Sequence, residues 1–109
     1  MIVEILKRLI FDLVNEDYNS IFDDGRNGKL TREEIIRALD EYGGKLTCPQ
    51  NDAYLSDSLN IIEIKNNEIY HVEFELWIDN ERSDLSLICK VIFKGKDVME
   101  LTIEDIHVL

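Results

Sequence analysis

The chain is poor in the residues that punctuate or staple a fold: 109 residues hold one proline, five glycines and two cysteines. That scarcity excludes collagen-like and Pro/Gly-rich low-complexity classes. Two cysteines, Cys48 and Cys89, are too few for a secreted disulfide scaffold and fit a reducing compartment. Cys89 lies in an apolar stretch and reads as a small core residue. No Cys/His spacing matches a zinc site. No apolar run reaches the length of a membrane span. The stretch MIVEILKRLI is interrupted by Glu4, Lys7 and Arg8 and lacks the order of a secretory leader, so a cytoplasmic protein is expected. Basic residues are also scarce. Twelve Lys and Arg face 23 Asp and Glu, a net charge of −11. Nucleic acid is therefore not expected as a direct partner, because phosphate needs basic surface. A basic protein partner suits the charge.

What is present is globular. Hydrophobic content of 45% is enough for one domain over residues 1–109 with its own core. Two periods divide the chain. Ile2, Leu6, Leu9, Ile10, Leu13, Val14, Tyr18, Ile21 and Phe22 recur at three- and four-residue steps. They predict a helix over 2–22, with a break in the polar 15–20 stretch. A glycine-containing loop follows over 23–30. REEIIRALDEY (32–42) predicts a second helix, ended by Gly43-Gly44. The period then becomes two. KLTC (45–48) predicts a short strand, 49–57 a polar loop, LNIIEIK (59–65) a strand and Asn66-Asn67 a turn. EIYHVEFELWID (68–79) alternates strictly. Tyr70, Val72, Phe74, Leu76 and Ile78 share one face; His71, Glu73, Glu75, Trp77 and Asp79 share the other. NERS (80–83) is expected to turn the chain. In 84–94, Leu85, Leu87, Cys89, Val91 and Phe93 share a face. Gly95-Lys96 is read as a turn and 97–109 as the last strand, with Met99, Leu101 and Ile103 inward. The expected class is α+β: two N-terminal helices packed on a curved antiparallel β-meander of four to five strands.

The stretch FDDGRNGKLTREE (22–34) imitates a calcium loop. From Asp23, Asn27 falls at position five, Gly28 at six, Leu30 at eight and Glu34 at twelve. Position three, however, is Gly25, and Asp23 is the only carboxylate at a ligand position before Glu34. A helix start explains the same residues. Thr31 and Glu34 form a capping box, and Glu33 and Glu34 suit the positive end of a helix. No metal site is expected.

Catalytic signals are few. His71 lies beside Glu73, and His107 beside Asp105 and Glu104. His71 reads as a polar residue on a solvated strand face and His107 as a sheet-edge or terminal packing residue, so no catalytic residue and no cofactor are expected. The outward face of the sheet carries Trp77, Ile88 and Ile92 among His71, Glu73, Glu75, Asp79, Ser86 and Lys90. Such a face suits contact with a basic partner, or a homodimer through the sheets.

The stretches LTREEIIRALDEYGGKLTCP, WIDNERSDLSLICKVIF and LTIEDIHVL resemble small bacterial immunity proteins of contact-dependent and other polymorphic toxin systems. The layout of helix, helix and meander resembles the cystatin-like cone of SnoaL-like and nuclear-transport-factor-like domains. The resemblance implies a non-enzymatic antitoxin that binds a cognate toxin domain, expected to be a basic nuclease. Its contact set would be Glu73, Glu75, Trp77, Asp79, Glu81 and Asp84, with Trp77 as apolar anchor. The alternatives are a small-ligand-binding or enzymatic cone, with His71 or His107 and Asp105 in an internal polar pocket, and a homodimeric scaffold.

Overall fold

The computed structural model describes residues 2–95 and 98–108; the expectations for Lys96, Asp97 and Leu109 lie outside them. The elements are α1 (Ile2–Val14), α2 (Tyr18–Asp23), α3 (Arg32–Tyr42), β1 (Leu46–Thr47), β2 (Leu59–Lys65), β3 (Ile69–Ile78), β4 (Glu81–Gly95) and β5 (Val98–Val108). The fold is α+β, with a curved, unclosed antiparallel sheet.

The first helical run breaks where its polar stretch predicts. Glu16 turns left-handed at φ 56°. Asp17 then caps α2, accepting from the Ser20 amide and from its hydroxyl at 2.8 Å. Those bonds favour the ionised carboxylate and hold its pKa below the ordinary value. At α3 the capping box forms. The Glu34 amide donates to Thr31 Oγ1 at 3.1 Å, and the Thr31 amide donates to Glu34 Oε1 at 3.0 Å.

β3 is the centre of the sheet. β4 pairs with one side of it and leads on to β5. β1 and β2 both pair with β3 on its remaining edge. β1 meets Ile78 and Trp77, and β2 covers Phe74 to Ile69. The expected polar loop over 49–57 is only partly a loop. Residues Asn51–Leu55 form a 3₁₀ turn that buries Ala53 and Tyr54. The Tyr54 ring stacks on Phe74 at 4.8 Å, and the Lys7 ammonium lies 5.1 Å from its centroid. Burial pushes the Tyr54 phenol up to about 12.

The expected turn over 80–83 is corrected. β4 begins at Glu81, opposite Ile78, so Asp79-Asn80 is a two-residue turn. Both residues have positive φ, 52° and 66°. A type I′ turn requires this, and its twist matches that of the strands it joins.

The inward strand positions match the alternation. Val72, Phe74, Leu76, Leu87, Cys89, Val91, Leu101 and Ile103 pack with Leu6, Leu9, Ile10, Leu13, Ile21 and Ile35 in one core. Burying each large aliphatic side chain stabilises the fold by roughly 1.5–3 kcal/mol. Met99 is partly buried at the margin of that core.

The calcium-like loop docks on the sheet instead. The Arg26 carbonyl accepts the Ile103 amide at 2.7 Å. Gly28 sits at φ 60°, where a Cβ would come 2.5 Å from the Ile103 carbonyl oxygen. Only glycine fits that approach. The Arg26 side chain is 90% shielded and donates to Asp12 on α1 at 2.7 Å, with Asp24 at 3.1 Å. A guanidinium in the loop opposes a bound cation, and Glu34 is engaged in its cap. Among the described residues no three or more His, Cys, Asp or Glu converge as a metal site.

The buried pair generates a comparison. Asp12→Ala leaves the desolvated guanidinium with only the half-exposed Asp24 carboxylate and should cost about 3 kcal/mol in equilibrium urea unfolding. Asp24→Ala removes a carboxylate that is 44% exposed and should cost under about 1 kcal/mol. Equal losses would mean that burial of the pair does not set its worth.

Candidate functional site

The helices cover one face of the sheet, and the other face carries the polar positions. β3 contributes His71, Glu73, Glu75 and Trp77. β4 sets Lys90, Ile88, Ser86 and Arg82 opposite them, and β5 continues two of these rows with Asp105 and His107. Ile88 thus stands between Glu73 and Asp105. It is only 6% exposed, and Ser86 only 3%. Their cross-strand neighbours are Glu73 and Asp105 for Ile88, and Glu75 and His107 for Ser86. The expected apolar patch around Ile88 is therefore not exposed.

The carboxylates around Ile88 have partners. Glu73 Oε2 lies 2.8 Å from His71 Nε2, and Asp105 Oδ2 lies 2.6 Å from His107 Nδ1. Arg82 Nε donates to Glu75 Oε1 at 2.8 Å, Arg82 Nη2 donates to the same oxygen, and Arg82 Nη1 donates to Asp57 Oδ1 at 2.9 Å. These bonds raise the Arg82 pKa, Glu75 first and Asp57 second. A cleft of about 190 Å³ runs beside them, lined by Asp57, Ser58, Asn60, Glu73, Glu75 and Asp84 among others. It gathers four carboxylates and suits a cation or a hydrogen-bond donor.

Of the six expected contact residues, Glu73, Glu75 and Asp84 line this one cleft. Glu73, Glu75 and Trp77 share the outer face of β3. Trp77 is half-buried and packs against the core cluster. Its indole Nε1 is shielded and meets no acceptor among the described residues. Asp79 serves the turn: its Oδ1 accepts the Lys45 amide at 3.0 Å. Asp84 accepts the Tyr42 hydroxyl at 2.6 Å. Glu81 is exposed at the start of β4.

Asp57 and Arg82 are members that sequence reading misses. The two-residue turn is the signal that could have found Arg82, because it sets Arg82 across from Trp77 and diagonal to Glu75. Nearby, the extra residues of β4 are held by Ser83. Its Oγ donates to the Leu76 carbonyl at 2.6 Å and accepts the Leu85 amide at 3.2 Å.

Both histidines lie on this outer face, not in an internal pocket. Ser86 stands across from His107, which pairs with Asp105. No hydrogen bond joins Ser86 to His107, so the nucleophile–base contact of a hydrolase is not formed.

The family described as a domain of unknown function (DUF7668) matches residues 10–109. The chain belongs to that family. The match takes in the C-terminal end of α1 (residues 10–14), α2, α3 and the strands, so the DUF7668 domain includes both the docked 24–30 loop and the carboxylate face. No curated protein and no solved structure matches the chain. Among the described residues no helix is long and apolar enough to cross a membrane.

Arg82 is the cation resident in this site. Arg82→Ala should leave the urea unfolding midpoint nearly unchanged, because the pair is exposed to solvent. A clear drop in the midpoint would make Arg82 a determinant of the fold.

Proposed function

We propose that this DUF7668 domain is a binding protein that masks a basic partner protein, as an antitoxin of the immunity type does. The observation that carries the reading is the outer sheet face, where Glu73, Glu75 and Asp57 gather on one cleft and Asp105 stands two strands away. Arg82 already holds two of these carboxylates, so the cluster accepts a guanidinium at hydrogen-bond distance. The net charge of −11 adds long-range attraction toward a positive surface. The apolar inward positions favour binding over catalysis, since a catalytic cone would use polar groups inside. Homodimerisation through the sheet face has little support, because Ile88 is covered. A nuclease with a basic cleft and a reducing cytoplasm are the partner and setting that this reading favours.

The test is capture of the partner by the tagged chain at low salt, followed by association kinetics with the purified partner. The double variant Glu73→Lys, Asp105→Lys should slow association about tenfold at low salt, with the difference shrinking as salt rises. Its circular dichroism should match the parent. Unchanged association would move the contact away from this face.

A further inference from the structure

The sheet has two edges, and they are treated differently. On β5, the amide of Ile103 is taken by the carbonyl of Arg26, in a loop anchored by Asp12. That loop closes the middle of the β5 edge. β2 pairs with β3 alone. Six of its seven residues are exposed, among them Ile61, Ile62 and Ile64, the last at 63%. Leu55, in the turn before it, is 87% exposed. Proteins ordinarily blunt such an edge with charge, proline or a covering loop. Here Lys65 and a bulge near Glu63 protect only the far end.

We infer that the β2 edge is a docking site for an extended strand of a basic partner, added antiparallel or parallel to β2 as a sixth strand. Backbone groups of β2 would supply the hydrogen bonds, and Ile62, on the outer face opposite His71, the apolar contact. Charge decides the occupant. Residues 50–75, which build this edge and its neighbour, hold six carboxylates and one lysine. A second copy would bring two like-charged segments together, whereas a basic strand neutralises one. An alternating strand would place its basic side chains on one face and its apolar ones on the other. This inference rests on the basic-partner reading above and adds its mode of contact.

The probe is a nine-residue peptide alternating lysine and valine, titrated at low salt into the full chain while backbone amides are followed by NMR. Shifts and slowed amide exchange are expected over residues 59–65. The same peptide with alternate backbone nitrogens methylated should bind at least tenfold more weakly, because it cannot complete the ladder. Ile62→Lys should weaken the unmodified peptide about fivefold while leaving the spectrum of the free protein folded. Equal binding of the methylated peptide, or shifts at Glu73 and Asp105 without β2, would overturn strand addition and leave the charge-based reading standing. No binding of either peptide would overturn both. Concentration-dependent dimerisation in sedimentation, with β2 amides protected, would instead make a second copy the occupant.

Discussion

The ion pair between Asp12 and Arg26 joins the two halves of the fold. It takes a guanidinium out of water, which is unfavourable unless carboxylates meet it; Asp12 meets its Nη2 at 2.7 Å, while the buried Nε and Nη1 have no acceptor among the described residues. The pair fixes a loop to α1, and the carbonyl of the same arginine fixes that loop to β5. Gly28 permits the close approach. Helix layer and sheet are thereby tied by polar contacts as well as by the apolar core. The two edges of the sheet become unequal for the same reason.

A second consequence concerns the outer face. Sheet faces without a helix over them are commonly polar, with side chains in water. Here the central positions are nonetheless dry. Ile88 and Ser86 are buried, and the Glu73 and Asp105 carboxylates across from Ile88 are each paired with a histidine, so polar side chains form a hydrogen-bonded layer on this face. A partner meeting this layer meets hydrogen-bonded carboxylates held in place, not a mobile acidic fringe. Holding them in advance reduces the ordering that binding must impose.

Much of the fold is legible because its determinants are local. Thr31 and Glu34 are three residues apart, and Gly43 follows α3 directly; both ends of that helix can be read from neighbours in sequence. Alternation assigns Val72, Phe74 and Leu76 to the core for the same reason. What is not legible depends on residues distant in sequence. Tyr54 becomes core only because β2 pairs with β3 and brings its turn over Phe74. Arg82 reaches Asp57 only once that edge is assembled. The burial of Ile88 is not legible from β4 alone, since its cross-strand neighbours, Glu73 and Asp105, lie on β3 and β5. The turn at Asp79-Asn80 is local, yet the polar run NERS hides it, because polar residues suit a turn and an exposed strand start equally well. The contact set read from sequence thus separates into face residues, Glu73, Glu75 and Trp77, a turn support, Asp79, and Asp84, which lines the cleft while accepting the Tyr42 hydroxyl.

The two-residue turn at Asp79-Asn80 also bears on the order of assembly. It joins β3 and β4 with almost no intervening chain, so little loop entropy is lost when they meet. β2 and β5 then add to them through further short connections. Only β1 must return from a distant part of the chain to reach β3. A meander built this way has mostly short-range strand pairing, which favours rapid folding. Its register can be established from the turn outward, and the helices then dock on a surface whose pleat is already set.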